Sequence, residues 1–187
     1  MCMKRIFIIH GAFGHPEENW FPWLKSQSER LGHEVFDPAF PTPKGQTLED
    51  WNSIFSEYET KVDENTILVG HSLGPAFLLH VLGRINTTIK ASFFVSGFIS
   101  PLGNETFDPL NKTFLEKPFD WQKIHQNCNQ FFLYHSDDDP YVSMAHANEL
   151  AKKLGVKTRI IQDAGHFNED AGYDRFVALF HDMQPLL

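Results

Sequence analysis

The most constraining feature of this chain is a series of short apolar runs without polar alternation, separated by stretches of helical period. Ile6-Phe7-Ile8-Ile9, Ile67-Leu68-Val69 and Phe93-Phe94-Val95 read as strands covered on both faces, because a half-solvated strand would alternate. The strands expected are Lys4–Ile9, His33–Phe36, Thr66–Val69, Ala91–Val95, Gln130–Tyr134 and Lys157–Ile161. Between them, Asn19–Leu31 puts Trp20, Trp23, Leu24 and Leu31 on one helical face and ends at Gly32. Thr47-Leu48-Glu49-Asp50 resembles a capping signal ahead of Trp51, Ile54, Phe55 and Tyr58. Helices are also expected over Pro75–Arg84, Met144–Leu154 and Tyr173–Met183. Strands spaced by helices make βαβ units. The fold expected is α/β, a mostly parallel sheet of about six strands with helices on both faces.

At 187 residues without an internal linker, the chain fits one domain, residues 1–187. Sixteen Lys and Arg against twenty-four Asp and Glu leave a net charge of −8, with no basic tract. That argues against nucleic-acid binding, which needs a clustered positive footprint. No apolar stretch approaches the roughly 20 residues of a membrane span, and the run after Lys4-Arg5 is too short for a signal peptide. Cys2 and Cys128 cannot form a disulfide framework or a Cys-rich metal site. A soluble, reduced, cytoplasmic protein is the expectation.

In open α/β sheets, sites form beyond the carboxyl ends of strands. There Gly70-His71-Ser72-Leu73-Gly74 gives G-x-S-x-G between an expected strand and an expected helix. Such a turn holds a serine hydroxyl exposed on strained backbone, and the glycines leave room for it. A serine hydroxyl is a poor nucleophile until a base takes its proton. Of ten histidines, His166 alone sits in a glycine-flanked loop just after the last strand, in Ala164-Gly165-His166-Phe167. The base needs an orienting acid. His135-Ser136-Asp137-Asp138-Asp139-Pro140 follows a strand and offers three. Asp139 is the first candidate, because a residue before proline is held extended; Asp138 is the reserve. The other aspartates are expected to cap the next helix or to face solvent, and Asp163 to shape the loop before His166. The order Ser, Asp, His is that of an α/β-hydrolase sheet. Backbone amides for an oxyanion are expected at Leu73 and, in the loop His10–Gly14, at Ala12, with Phe13 next. That loop lacks both G-x-G-x-x-G and a P-loop Lys-Ser/Thr, so no nucleotide cofactor is implied. No H-E-x-x-H or other tight ligand spacing occurs, so no metal is implied either.

Ile8-Ile9-His10-Gly11, Asn19-Trp20-Phe21-Pro22-Trp23-Leu24, Leu48-Glu49-Asp50-Trp51, the serine turn, Val95-Ser96-Gly97-Phe98, Asp139-Pro140-Tyr141-Val142 and Gly165-His166-Phe167 span almost the whole chain. Together they resemble the small α/β-hydrolases related to retinoblastoma-binding protein nine, which include bacterial members and lack a large lid domain. The resemblance implies a triad of Ser72, Asp139 and His166 acting on small esters or amides. The L-x-C-x-E segment used to bind retinoblastoma-type partners is absent, so that role does not carry over.

Phe98–Asn127, where a lid would be inserted, is rich in Phe, Pro and Asn, with one short helix expected near Trp121–Ile124. It should give a loop cover rather than a cap domain. Phe13, Trp20, Phe98 and Phe167 flank strand ends and are candidates for an apolar acyl pocket. The expected function is hydrolysis of a small-molecule acyl substrate. A non-catalytic protein-binding module and a metal-dependent hydrolase are the alternatives.

Overall fold

The computed structural model describes residues 3–187, so Cys2 lies outside it. Six strands form one sheet: β1 (Arg5–Ile9), β2 (Glu34–Phe36), β3 (Thr66–His71), β4 (Ala91–Val95), β5 (Phe131–Ser136) and β6 (Thr158–Ile161). Their order is β2-β1-β3-β4-β5-β6 and every pairing is parallel, with Ile8 opposite Val69 and Gly70 opposite Phe94. All residues of β3 and β4 are buried, which accounts for their lack of alternation.

Seven α-helices cover the sheet: α1 (Phe21–Arg30), α2 (Leu48–Ser56), α3 (Gly74–Leu82), α4 (Phe107–Glu116), α5 (Trp121–Gln126), α6 (Met144–Leu154) and α7 (Val177–Met183). Odd and even strand positions feed two separate cores. Phe7, Ile9, Leu68, Phe94 and Leu133 meet Trp51 of α2, Phe77 of α3, Phe114 of α4, Ile124 of α5 and Leu150 of α6 on one face. Ile6, Ile8, Val69, Phe93 and Val95 meet Phe21 and Leu24 of α1 and Leu179 and Met183 of α7 on the other. Helix α2 starts as its sequence indicates, with Thr47 Oγ1 accepting the Asp50 amide. Among the described residues no helix is long and apolar enough to cross a membrane.

Two elements differ from the sequence expectation. The segment before β5 carries a ten-residue helix, α4, as well as the short α5. Pro109 falls in the first turn of α4, where its missing N–H costs nothing. Asp108 closes the preceding loop by accepting the amides of Leu102, Gly103 and Asn104. At the other end, α7 begins at Val177 rather than Tyr173. Gly172 takes a left-handed turn, and the rings of Tyr173 and Phe176 lie 4.9 and 5.0 Å from that of Phe167, which keeps the intervening backbone out of the helix.

The strand order reverses direction between β1 and β3, so the loops after these strands diverge and open a crevice at their carboxyl ends.

Candidate active site

Strand β3 runs straight into the serine turn. Ser72 has φ +58°, a left-handed value that costs on the order of 1 kcal/mol for a residue with a Cβ and survives only where neighbours enforce it. They do so by close approach. A Cβ on Gly74 would lie 2.5 Å from the Ile9 carbonyl oxygen, and one on Gly11 would lie 2.7 Å from Ser72 Cβ. The loop after β1 therefore presses directly on the serine. Behind it starts α3, all nine of whose residues are buried.

His166 follows β6 on the expected loop. Its Nδ1 donates to both carboxylate oxygens of Asp139, at 2.9 and 3.0 Å. The Asp139 side chain is 1% exposed and also accepts the amides of Tyr141 and Val142, at 2.9 and 3.0 Å. Burial pushes its pKa up, but the hydrogen bond and charge of His166, with the two amides, outweigh burial and hold it below the usual carboxylate range. With Nδ1 so engaged, Nε2 is the nitrogen left for the pocket that Ser72 and His166 share. No hydrogen bond joins Ser72 to His166 among the described residues; such bonds commonly tighten only when substrate binds.

The other aspartates do not cap a helix or merely face water. Asp138 accepts the Ser136 hydroxyl and the Gly165 amide, the latter at 2.8 Å, and Asp137 accepts the Asp163 amide at 3.0 Å. Both tie the β5 loop to the β6 loop that carries His166. Strand pairing of β5 with β6 brings these loops side by side, so their unpaired amides fall to the nearest carboxylates.

Two further tethers were invisible from spacing. The His71 ring donates its Nε2 proton to the His166 carbonyl at 2.7 Å, and the two rings lie 4.8 Å apart. Burial, seconded by the nearby His166, pushes the His71 pKa down to about 3, so it is a neutral donor. Trp20 Nε1 donates to the Phe167 carbonyl at 3.0 Å. This corrects the expected pocket. Trp20 and Phe167 are fully buried in the second core, because the indole N–H and the stacked ring of Phe176 draw them under the loop rather than into the crevice. Phe13 and Phe98 do line the crevice.

The crevice measures about 520 Å³. One wall, from Phe98, Leu102 and Phe107, is apolar; another, from Glu17, Glu18, Glu169 and Asp170, is acidic. Phe107 meets Phe13 and Tyr141 edge-on, each at 5.8 Å, and Tyr141 meets the His166 ring at 5.0 Å. Aromatic side chains from two loops and the start of α4, a helix the sequence did not reveal, thus rim the opening, with Phe107 of α4 in the middle. At the loop after β1, the Phe13 amide donates to Thr42 Oγ1 at 2.7 Å, whereas the amides of Ala12 and Leu73 donate to no described group. His10 steadies this loop through the Gly11 carbonyl (2.8 Å) and the Phe40 amide (3.0 Å). Among the described residues no three His, Cys, Asp or Glu side chains are grouped to hold a metal.

A parallel sheet with its serine on the turn after β3 and its histidine on the loop after β6 defines an α/β-hydrolase. The chain belongs to the family described as serine hydrolase, which its residues 6–184 match. It is 34% identical to YdeN of Bacillus subtilis (strain 168) over 91% of this chain and 89% of that protein. It is 29% identical to the serine hydrolase RBBP9 of Rattus norvegicus, covering 79% and 77%. The crystal structure of the B. subtilis ydeN gene product superposes with a TM-score of 0.90, at 29% identity and 98% coverage of both chains. Polyneuridine aldehyde esterase shares the fold, with a TM-score of 0.71 at 12% identity over 99% of each chain.

Proposed function

We propose that this hydrolase cleaves small ester or amide substrates through an acyl-enzyme on Ser72. The observation that carries the reading is the His166–Asp139 pair, buried on its Nδ1 side and open to the Ser72 crevice on the other. In this reading His166 Nε2 takes the Ser72 proton as Oγ attacks the carbonyl carbon. Asp139 fixes the ring tautomer and stabilises the imidazolium. The amides of Ala12 and Leu73, which donate to no other group among the described residues, receive the oxyanion. His166 then protonates the leaving oxygen or nitrogen, and water attacks the acyl-enzyme by the same route in reverse. Phe13 and Phe98 contribute apolar contacts to the substrate. A crevice of about 520 Å³ suits a small molecule. Cys128 is a buried thiol whose pKa burial pushes up to about 11, so it is an unreactive core residue and no competing nucleophile.

The test is fluorophosphonate labelling and p-nitrophenyl ester turnover of the wild type and Ser72→Ala. Labelling confined to the wild type, with turnover lost by several orders of magnitude, roughly 10⁶ at most, is expected. Retained turnover in a natively folded Ser72→Ala protein removes Ser72 from the mechanism. Loss of turnover in EDTA would favour a metal-dependent hydrolase, and an unlabelled, inactive wild type would favour a binding module.

A further inference from the structure

Asn111, on α4, is 1% exposed and lines the crevice, yet it has no place in the acyl-transfer chemistry. Its orientation is set by a chain of hydrogen bonds that begins at a backbone group. The Phe13 N–H donates to Thr42 Oγ1 at 2.7 Å. Thr42 Oγ1 and Gln46 Oε1 are 2.5 Å apart, a separation suited to O–H···O and too short for N–H···O, so the hydroxyl donates. Gln46 must then present Nε2, which donates to Asn111 Oδ1 at 2.9 Å. Each link fixes the next, and the last leaves Asn111 Nδ2 turned away from Gln46. That nitrogen has no acceptor among the described residues, and it is not one of the side-chain atoms sealed from solvent without a partner. It is a donor held at the crevice wall with nothing in the protein to receive it.

A donor oriented in this way can be met by water while the crevice is empty, but it loses that partner without replacement when a substrate fills the crevice, unless the substrate brings an acceptor. Its surroundings say of what kind. Phe98, Leu102 and Phe107 make the wall apolar around it. Of the two halves of a small ester, an apolar acyl group is the one that a lining of Phe98, Leu102 and Phe107 suits. Glu17, Glu18, Glu169 and Asp170 in the same crevice disfavour an anion, and burial with the neighbouring Glu169 keeps the Glu18 pKa above its usual range.

We propose that Asn111 is a specificity-determining residue whose Nδ2 hydrogen-bonds a neutral oxygen acceptor, an ether or carbonyl oxygen, carried within an otherwise apolar acyl group. This deepens the proposed function and rests on acyl transfer at Ser72. A site built around a donor discriminates against the substrate that lacks the acceptor, because the donor is then left unpaired.

The experiment compares kcat/KM for three isosteric pairs of p-nitrophenyl esters: methoxyacetate with butanoate, 3-methoxypropanoate with pentanoate, and 4-methoxybutanoate with hexanoate. The oxygen-to-carbon ratio of the wild type is divided by that of Asn111→Leu, which cancels the intrinsic reactivity of each ester. Asn111→Asp is run alongside at pH 8; it keeps the acceptor for Gln46 and replaces only the donor, so the comparison survives if the leucine variant does not fold. A double ratio of about tenfold for at least one oxygen position, in each variant that folds, is expected from one neutral hydrogen bond in a crevice that substrate has emptied of water. A double ratio within twofold of unity at all three positions overturns the proposal. A merely structural Asn111 gives that same flat result, since it slows both members of each pair alike. Loss of butanoate turnover in Ser72→Ala reports separately on the underlying reading, so a Ser72-dependent enzyme with flat ratios sinks the Asn111 proposal alone.

Discussion

His71 should make this protein lose stability on mild acidification, and the size of the effect follows from its burial. In the folded chain its ring lies between Trp20, Phe21 and His166, with Nε2–H spent on the His166 carbonyl, and its pKa falls to about 3. In the unfolded chain it returns to the ordinary 6.5. Between those values the unfolded state holds a proton that the folded state refuses, so folding free energy rises with pH across that window and is lost as pH falls through it. From pH 7 to pH 5 this one group should cost about 2 kcal/mol, at 1.36 kcal/mol per pKa unit. Urea denaturation of the wild type and of His71→Gln at both pH values isolates it. Glutamine keeps an amide donor for the carbonyl but does not titrate, and every other titrating group cancels in the difference. The wild type should lose about 2 kcal/mol more than the variant over those two pH units. A difference below about 0.5 kcal/mol would refute the buried, neutral His71. The same neutrality matters to the proposed chemistry: with ring centroids 4.8 Å apart, a charged His71 would oppose the imidazolium which that mechanism forms on His166.

Asp139→Asn should lower kcat by on the order of 10⁴, since the amide would hold the His166 ring in the wrong tautomer; steady-state kinetics with near-native circular dichroism is the check. Asp138→Asn should act more mildly, by roughly ten- to a hundredfold, because it loosens the Gly165 amide beside the base without touching the imidazole. If instead Asp138→Asn is the silent variant, the assignment of the acid is wrong.

The sheet was legible because a parallel strand buried on both faces leaves an unalternated apolar run. The central strands β3 and β4 were therefore placed within a residue or two of where they lie. Helix α4 was not legible. Its sequence, Phe107-Asp108-Pro109-Leu110-Asn111-Lys112-Thr113, is poor in strong helix formers, and it folds because Phe114 drops into the core beside Trp51 and Phe77. That contact is between segments about sixty and forty residues apart, so no local pattern announces it. The delayed start of α7 has a similar origin: Tyr173 and Phe176 have helical spacing, but the ring of Phe167 claims both.

In the site the division runs along the kind of chemistry involved. Ser72, Asp139 and His166, the proposed triad, could be singled out because a nucleophile turn, a pre-proline carboxylate and a strand-end histidine each need a particular residue in a particular local context. The groups that hold them in place need only a donor or acceptor at the right point in space. His71, Asp137, Asp138, Thr42, Gln46 and Asn111 meet that need through loops brought together by the strand order, and many other residues could meet it elsewhere in the chain. Trp20 and Phe167 show the converse error. Their position at strand ends suggested substrate contact, but large aromatic side chains bury about 150–250 Å² each and go to the core when it lies within reach. The loop bearing the proposed base is consequently fixed from beneath by an indole and a neutral imidazole and from the side by two carboxylates. The alignment of His166 with Asp139 is thus maintained before any substrate arrives, as the proposed acyl transfer requires.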